Sequence, residues 1–261
     1  MKRTKSTVTV LACSALSLLV QPASAGEIAT YFFNNSLAAQ QSGVASLVAV
    51  DPQGTSGFTT ATVFGNTVPV YHFGGTASPS QQGGLTLNTS GLIASDQYSA
   101  QIVFSFADRN NAWRRILDSL DRQSDSGLYI DPGNNLDIYP VAAVSTGFTP
   151  NTFFDVVVTV DPSHNVNAYI GGALALTTNT TVLNLSTNTL GFFLDNVVSG
   201  GQGEWSQGNV ARIRLFNTAL TAREVAALDT DPLNSTPEPA TWGLMLTSLL
   251  FIAGREVRRR F

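Results

Sequence analysis

The sequence predicts an all-β antiparallel sandwich, flanked by an N-terminal signal peptide and a hydrophobic C-terminal sorting helix. Three observations predict it. Short runs rich in Val, Ile, Thr, Phe and Tyr recur between turns rich in Gly, Asn, Asp and Ser. The stretch Tyr98 to Phe106 alternates cleanly, with Tyr98, Ala100, Ile102, Phe104 and Phe106 on one side and Ser99, Gln101, Val103 and Ser105 on the other. That is the period of a half-buried antiparallel strand. Only one segment carries the marks of a helix.

In chain order, Met1 to Ala25 reads as a secretory signal peptide. Lys2, Arg3 and Lys5 form its charged region, Val8 to Val20 its apolar region, and Ala23-Ser24-Ala25 an A-x-A cleavage site that leaves Gly26 as the mature start. A lipoprotein signal, Val10-Leu11-Ala12-Cys13, is the alternative, but it leaves too short an apolar segment before the cysteine. Cys13 is the one cysteine, so a chain cut after Ala25 has no disulfide and must be held by its core alone.

The segment 26–232 is long enough for one large β domain. Strands are predicted at Ile28 to Phe33, Thr67 to Phe73, Leu85 to Leu87, Tyr98 to Phe106, Trp113 to Leu117, Gly127 to Ile130 and Asn135 to Tyr139. Phe153 to Val160 is the most apolar and is expected to be central. Val166 to Ile170, Ala173 to Leu176, Leu190 to Leu194 and Val210 to Phe216 follow. Asp131-Pro132-Gly133-Asn134 and Asp161-Pro162-Ser163-His164-Asn165 are turns, and Gly171-Gly172 is a tight hairpin. The helix begins at Thr221, whose spacing to Glu224 is a capping box, with Val225 and Leu228 on its apolar face.

The remaining segment, 233–261, has three parts in order. Pro237-Glu238-Pro239 is held extended by its prolines. An apolar run to Ala253 follows, shorter than the roughly 20 residues of a comfortable membrane span. Arg258, Arg259 and Arg260 close the chain and favour the cytoplasmic side. These residues, with Ala240-Thr241-Trp242-Gly243, resemble the PEP-CTERM sorting domain of Gram-negative bacteria. The resemblance implies processing near Pro-Glu-Pro by an exosortase-type membrane protease. It also implies transient residence in the inner membrane, delivery to the cell surface or matrix, and a link to exopolysaccharide and biofilm. An ordinary tail anchor, or a disordered end of chance composition, is the alternative.

The body of the domain suggests a second resemblance. Val210 to Leu228, Asp155 to Gly172 (ending Tyr-Ile-Gly-Gly) and Tyr31 to Leu37 are similar to segments of laminin-G-like, concanavalin A-like jelly rolls. That family often binds Ca²⁺ or sugars at a loop edge of the sandwich.

Composition narrows the partners. Between Gly26 and Thr236 stand seven arginines, no lysine and sixteen carboxylates, a net charge of −9. This argues against nucleic acid and anionic membrane surfaces as partners. For Ca²⁺, which takes six to eight hard oxygen ligands, the candidate set is Asp195 and Asn196, with Glu204 across a glycine-rich loop; a self-bonded polar loop is the alternative. A second group, Asp108, Asp118, Asp121, Asp125 and Asp131, is interleaved with Arg109, Arg114, Arg115 and Arg122 and reads as surface ion pairs. Trp113, Tyr129, Tyr139 and Trp205 are candidates for a sugar-stacking surface, against ordinary packing of each ring.

Catalytic residues are not expected. Glycoside hydrolysis needs two facing carboxylates, and no Glu-x-Asp-x-x-Glu run occurs. Glu27, Glu204 and Glu224 are isolated, and the sequence holds no Gly-x-Ser-x-Gly or His-Glu-x-x-His. The expectation is an exported, non-catalytic carbohydrate-binding or matrix protein. The alternatives are a structural or protein-binding surface module and, behind it, a glycanase with an unusual site.

Overall fold

The β-type runs pair into two stacked sheets. The computed structural model describes residues 26–75, 81–107, 111–198, 203–229 and 233. Within them the strands are β1 (Glu27–Phe32), β2 (Val48–Val50), β3 (Gly57–Val63), β4 (Asn66–Phe73), β5 (Gly84–Asn88), β6 (Tyr98–Phe106), β7 (Arg114–Asp118) and β8 (Gly127–Ile130). Then come β9 (Asn135–Tyr139), β10 (Ala142–Ser145), β11 (Phe154–Val160), β12 (Asn165–Ile170), β13 (Ala173–Asn179), β14 (Thr189–Phe192) and β15 (Gly208–Phe216), and a helix α1 (Ala222–Asp229). The predicted signal peptide and sorting segment lie outside the described residues, apart from Leu233. No helix among the described residues is long and apolar enough to cross a membrane.

The first sheet runs β13-β12-β11-β6-β15-β4-β3, with β1 also on β15. The second runs β10-β9-β8-β7-β14-β5-β2. Every pairing is antiparallel. Strand β15 binds the two ends of the chain together: β4 takes its first residues and β1 its last, on one edge, while β6 takes the other edge. Between the sheets lie Tyr31, Phe104, Phe106, Ile116, Leu128, Ile138, Val158 and Ile213, among others. Phe193 lies over Phe73 with parallel rings, centroids 4.0 Å apart.

Two expectations change here. β6, not β11, is the middle strand of the first sheet. And β6 is buried on both sides, not one. Its outward polar residues are covered rather than solvated. The hydroxyl of Ser99 donates to the Thr218 carbonyl (2.8 Å) and accepts from the Leu220 N–H (2.9 Å), tying down the approach to α1. Gln101 donates to Asp155 (2.7 Å). Outward Val103 joins Val63, Val68, Val70 and Ala211, with Leu233 packed on them. Leu220, Val225 and Leu228 cover Val157, Tyr169 and Phe216. Alternation of polar and apolar residues therefore marked a polar layer, not water.

The capping box forms as predicted. Thr221 Oγ1 and its N–H both donate to Glu224 Oε2 at 2.7 Å, and Val225 N–H donates to the Thr221 carbonyl (3.0 Å). The Asp-Pro turns share one geometry. Asp131 and Asp161 each accept from the N–H and side-chain amide of the asparagine four residues on, at 2.8–2.9 Å. A third copy, Asp51, accepts from Thr55 N–H (3.1 Å). In all three the fourth residue is left-handed: Gly54 (φ 64°), Asn134 (φ 62°) and His164 (φ 62°).

Candidate functional site

The site is built on the meander β7–β8–β9. Leu128, Ile130, Leu136 and Ile138 point into the core. By strand alternation Tyr129, Asp137 and Tyr139 therefore project from the outer face. Arg115 stands opposite Tyr129, and Tyr129 opposite Asp137, so three strands contribute one transverse row. Trp113, just before β7, closes on the rings: its centroid is 5.6 Å from that of Tyr129 and 5.0 Å from that of Tyr139, while the two tyrosines are 6.1 Å apart. All three contacts are edge-to-face. Tyr139 faces Gly127 across the strands, and a Cβ on Gly127 would lie 2.8 Å from the Leu117 carbonyl and 3.4 Å from the Tyr129 ring. The glycine allows this close packing.

Of the predicted stacking rings, Trp113 and Tyr139 are half-buried and Tyr129 is fully buried. Tyr129 is therefore the floor of the patch and not a free platform, because the Arg115 guanidinium and the loops beside it enclose it. Trp205 is half-buried on the segment before β15, next to Glu204.

Asp137 escaped notice in the sequence. It is 9 % exposed, and no hydrogen bond or ion pair to its carboxylate is made among the described residues. Burial, aided by the charge of Asp131, pushes it up to about 6. The signal was present: Leu136 and Ile138 flank it, which sets it on the face of Tyr139.

Beside the rings lies a buried polar network. Arg115 donates to Tyr129 Oη (2.5 Å) and to the carbonyls of Ser124 (2.6 Å) and Ser126 (2.9 Å), and its guanidinium is 3.4 Å from Asp118. Tyr129 donates to the Asp125 carbonyl (2.8 Å), and Asn196 donates to the Asp125 carboxylate (3.0 Å). Gln82 bridges to the strand end of β14, donating to the Phe193 carbonyl and accepting from Asp195 N–H.

Sequence reasoning read the arginines and aspartates of this region as surface pairs. Instead Arg114, Arg115 and Asp118 are fully buried. The reason is position: β7 lies inside the second sheet, between β8 and β14. Arg114 points into the sandwich, 4.6 Å over the Phe148 ring, and donates to Asn134 (2.6 Å). Asp108 and Arg109 lie outside the described residues.

Asp195, Asn196 and Glu204, the set proposed from the sequence for Ca²⁺, are neighbours joined through backbone N–H groups. Asp195 accepts from the N–H of Asn196 (2.7 Å) and of Glu204 (3.2 Å). Burial pushes the Glu204 carboxyl up to about 8; Asp195 and Asp125 push the same way, while Tyr129 and Arg115 pull back. Burial also raises Asp195, against the N–H groups it accepts from. One Glu204 oxygen, Oε2, is buried without a hydrogen bond. These residues fit a calcium ion poorly. Asp195 is engaged by loop N–H groups, a guanidinium already supplies positive charge, and no group of three His, Cys, Asp or Glu side chains set for a metal occurs among the described residues.

The two stacked antiparallel sheets form a jelly-roll sandwich. Residues 79–226 match the family described as the concanavalin A-like lectin/glucanases superfamily, and the chain belongs to it. No protein of curated function matches the sequence. Among solved structures, domain 4 of an extracellular arabinanase from Geobacillus stearothermophilus, in complex with arabinotriose, is similar at 17 % identity and TM-score 0.55, covering 79 % of this chain and 99 % of that one. A botulinum neurotoxin type C that depends on two ganglioside molecules to enter cells is similar at 14 % identity and TM-score 0.58, over 81 % of this chain and 52 % of that one. A Trypanosoma rangeli sialidase in complex with 2,3-difluorosialic acid is similar at 15 % identity and TM-score 0.52, over 75 % of this chain and 34 % of that one. The chain thus spans about half of the neurotoxin chain and a third of the sialidase chain in those structures. At these identities the likenesses establish the fold.

Proposed function

We propose that the protein is an exported, non-catalytic carbohydrate-binding protein of the cell surface or extracellular matrix, binding glycan on the outer face of the second sheet. The observation that carries this reading is the ring trio of Trp113, Tyr129 and Tyr139 beside the unpartnered Asp137. Aromatic faces take the apolar faces of sugars, and a buried carboxylate is an acceptor for their hydroxyls. The arabinotriose and ganglioside dependence of the similar structures supports a glycan as ligand. On this reading Ala23 and Ala25 direct signal cleavage at the end of segment 1–25. Pro237, Glu238 and Pro239 mark exosortase-type processing of 233–261, and Arg258, Arg259 and Arg260 hold the tail at the cytoplasmic side. The natural ligand is then exopolysaccharide.

The test is co-sedimentation of the purified chain with the insoluble exopolysaccharide of its source organism, beside Trp113→Ala and Tyr139→Ala variants. The reading predicts that the wild type sediments and both variants stay in solution. Equal sedimentation of all three would remove the patch from the account. For the sorting part, loss of the host exosortase is expected to leave the full-length chain in the membrane; unchanged processing refutes it.

A protein-binding module is the second reading, favoured by exposed Phe58 and Phe64 at the β3 edge and Leu174 at the β13 edge of the first sheet. A stoichiometric protein partner retained after polysaccharide digestion, and lost on Phe64→Ser, would favour it.

A further inference from the structure

The outer face of the second sheet carries a carboxylate with no counter-charge. Asp137 is 9 % exposed, lies opposite Tyr129 and two residues from Tyr139, and makes no hydrogen bond or ion pair among the described residues. Its charged neighbour is Asp131, of the same sign. The arginines nearby are committed elsewhere. Arg115 serves Tyr129, Ser124, Ser126 and Asp118; Arg122 donates to the Asp195 carbonyl (2.6 Å); Arg114 turns into the core. No lysine follows Lys5. The Asp137 side chain is nearly covered, yet no protein group among the described residues bonds its carboxylate, which leaves the oxygens to a ligand.

The rings around it meet at 68–86°, forming a corner rather than a flat stack. The face of Tyr129 is already taken by the Arg115 guanidinium, 4.9 Å from its centroid, so the half-buried Trp113 and Tyr139 are the rings that can offer a negative face to a ligand cation. We infer that the ligand carries a protonated amine: Trp113 and Tyr139, held by Tyr129 beneath them, form with the carboxylate of Asp137 a site for the ammonium group of an amino sugar. Both halves of the site supply the same complement, the rings by their quadrupole and Asp137 by its charge. The net charge of −9 between residues 26 and 236 favours the approach of such a glycan and opposes uronates and sulfated sugars. This inference rests on the carbohydrate reading of the same face and adds the charge class of the ligand.

The test is calorimetric titration of the purified full-length chain at pH 7 and physiological salt with three trisaccharides: glucosamine, N-acetylglucosamine and glucose oligomers. The glucosamine trimer is expected to bind about tenfold or more tighter than the other two. Asp137→Asn keeps the shape of the side chain and is expected to erase that excess, with an unchanged circular dichroism spectrum. Asp96→Asn, in the loop before β6, serves as the control for diffuse attraction to an acidic protein and is expected to leave the excess intact. Equal or tighter binding of the acetylated or neutral trimer overturns the amine inference and leaves the carbohydrate reading standing. The same loss in Asp96→Asn as in Asp137→Asn also overturns it. Binding of none of the three, with the organism's exopolysaccharide still bound, overturns the amine inference alone; binding of none of the three and no exopolysaccharide overturns both.

Discussion

Replacing Glu204 by glutamine should flatten a pH dependence that the fold builds into its own stability. The Glu204 carboxyl rises from 4.5 to about 8 in the folded protein, chiefly by burial. Below about pH 4.5 it is protonated folded and unfolded, so it has no effect on the pH slope. Between 4.5 and 8 the unfolded chain has released the proton and the folded chain keeps it. The folded state then binds more protons, so stability falls as pH rises through this window and levels off above it. A displacement of one pH unit is worth about 1.4 kcal/mol. Asp195 titrates with Glu204, and the pair shares the proton, so the decline assignable to Glu204 is on the order of 2–4 kcal/mol. A glutamine side chain at this position cannot ionise and keeps the same shape under Tyr129. The assay is urea unfolding of wild type and Glu204→Gln at half-unit steps from about pH 4 to about pH 9, a range that brackets the window. The difference between the two curves should be constant near the acid end and grow in favour of the variant up to about pH 8. Parallel curves across the whole range would mean that Glu204 titrates as it does in water, contrary to its burial.

Other outcomes follow from single contacts. Phe193→Ala removes a ring stacked on Phe73 and in contact with Phe104 and Phe106, and should cost about 3–5 kcal/mol in urea unfolding. Thr221→Ala removes the cap of α1 and should cost about 1 kcal/mol, read as a lowered thermal midpoint. Asp161→Ala removes a carboxylate that accepts from Ser163 N–H, Asn165 N–H and the Asn165 amide, and should cost about 1 kcal/mol at neutral pH. The hydrogen bonds from Asn165 and the turn hold Asp161 below its ordinary range, so its contribution is complete above about pH 4 and fades as pH falls through the lowered value. Wild type and Asp161→Ala should therefore converge in acid, and a gap that persists at about pH 2 would contradict this.

The strands were legible where their residues were β-branched or aromatic and their turns carried Gly, Pro or Asp. Strand β3 was not. Its Gly57-Phe58-Thr59-Thr60-Ala61-Thr62 looks like a polar connection because it is an edge strand, mostly exposed. Strands β2 and β10 are three and four residues long, too short to show a period. The outer face of β6 misled for a different reason. Ser99 and Gln101 are polar because they bond to the approach to α1 and to Asp155, and a sequence does not tell a buried polar layer from a wet one.

The site was legible in its parts and not in its assembly. Trp113, Tyr129 and Tyr139 were visible as rings near turns, but only the meander of β7, β8 and β9 makes them neighbours. Asp195 and Glu204 were visible as a pair across a glycine-rich loop. That the Arg115 guanidinium enters the same buried network through Tyr129 depended on β7 running inside the sheet rather than at its rim. Asp137 could have been found from the pattern Leu136-Asp137-Ile138-Tyr139, which sets a carboxylate and a ring on one face.

The most direct test of the central claim is calorimetric titration of the purified chain with the exopolysaccharide of its source organism, in Ca²⁺ and again in EDTA, beside Trp113→Ala. Binding of equal strength in both buffers and its loss in the variant are expected, because the ligand rests on the rings of the second sheet and not on a metal. Absence of binding in both buffers, or binding that EDTA abolishes and Trp113→Ala leaves untouched, would contradict it.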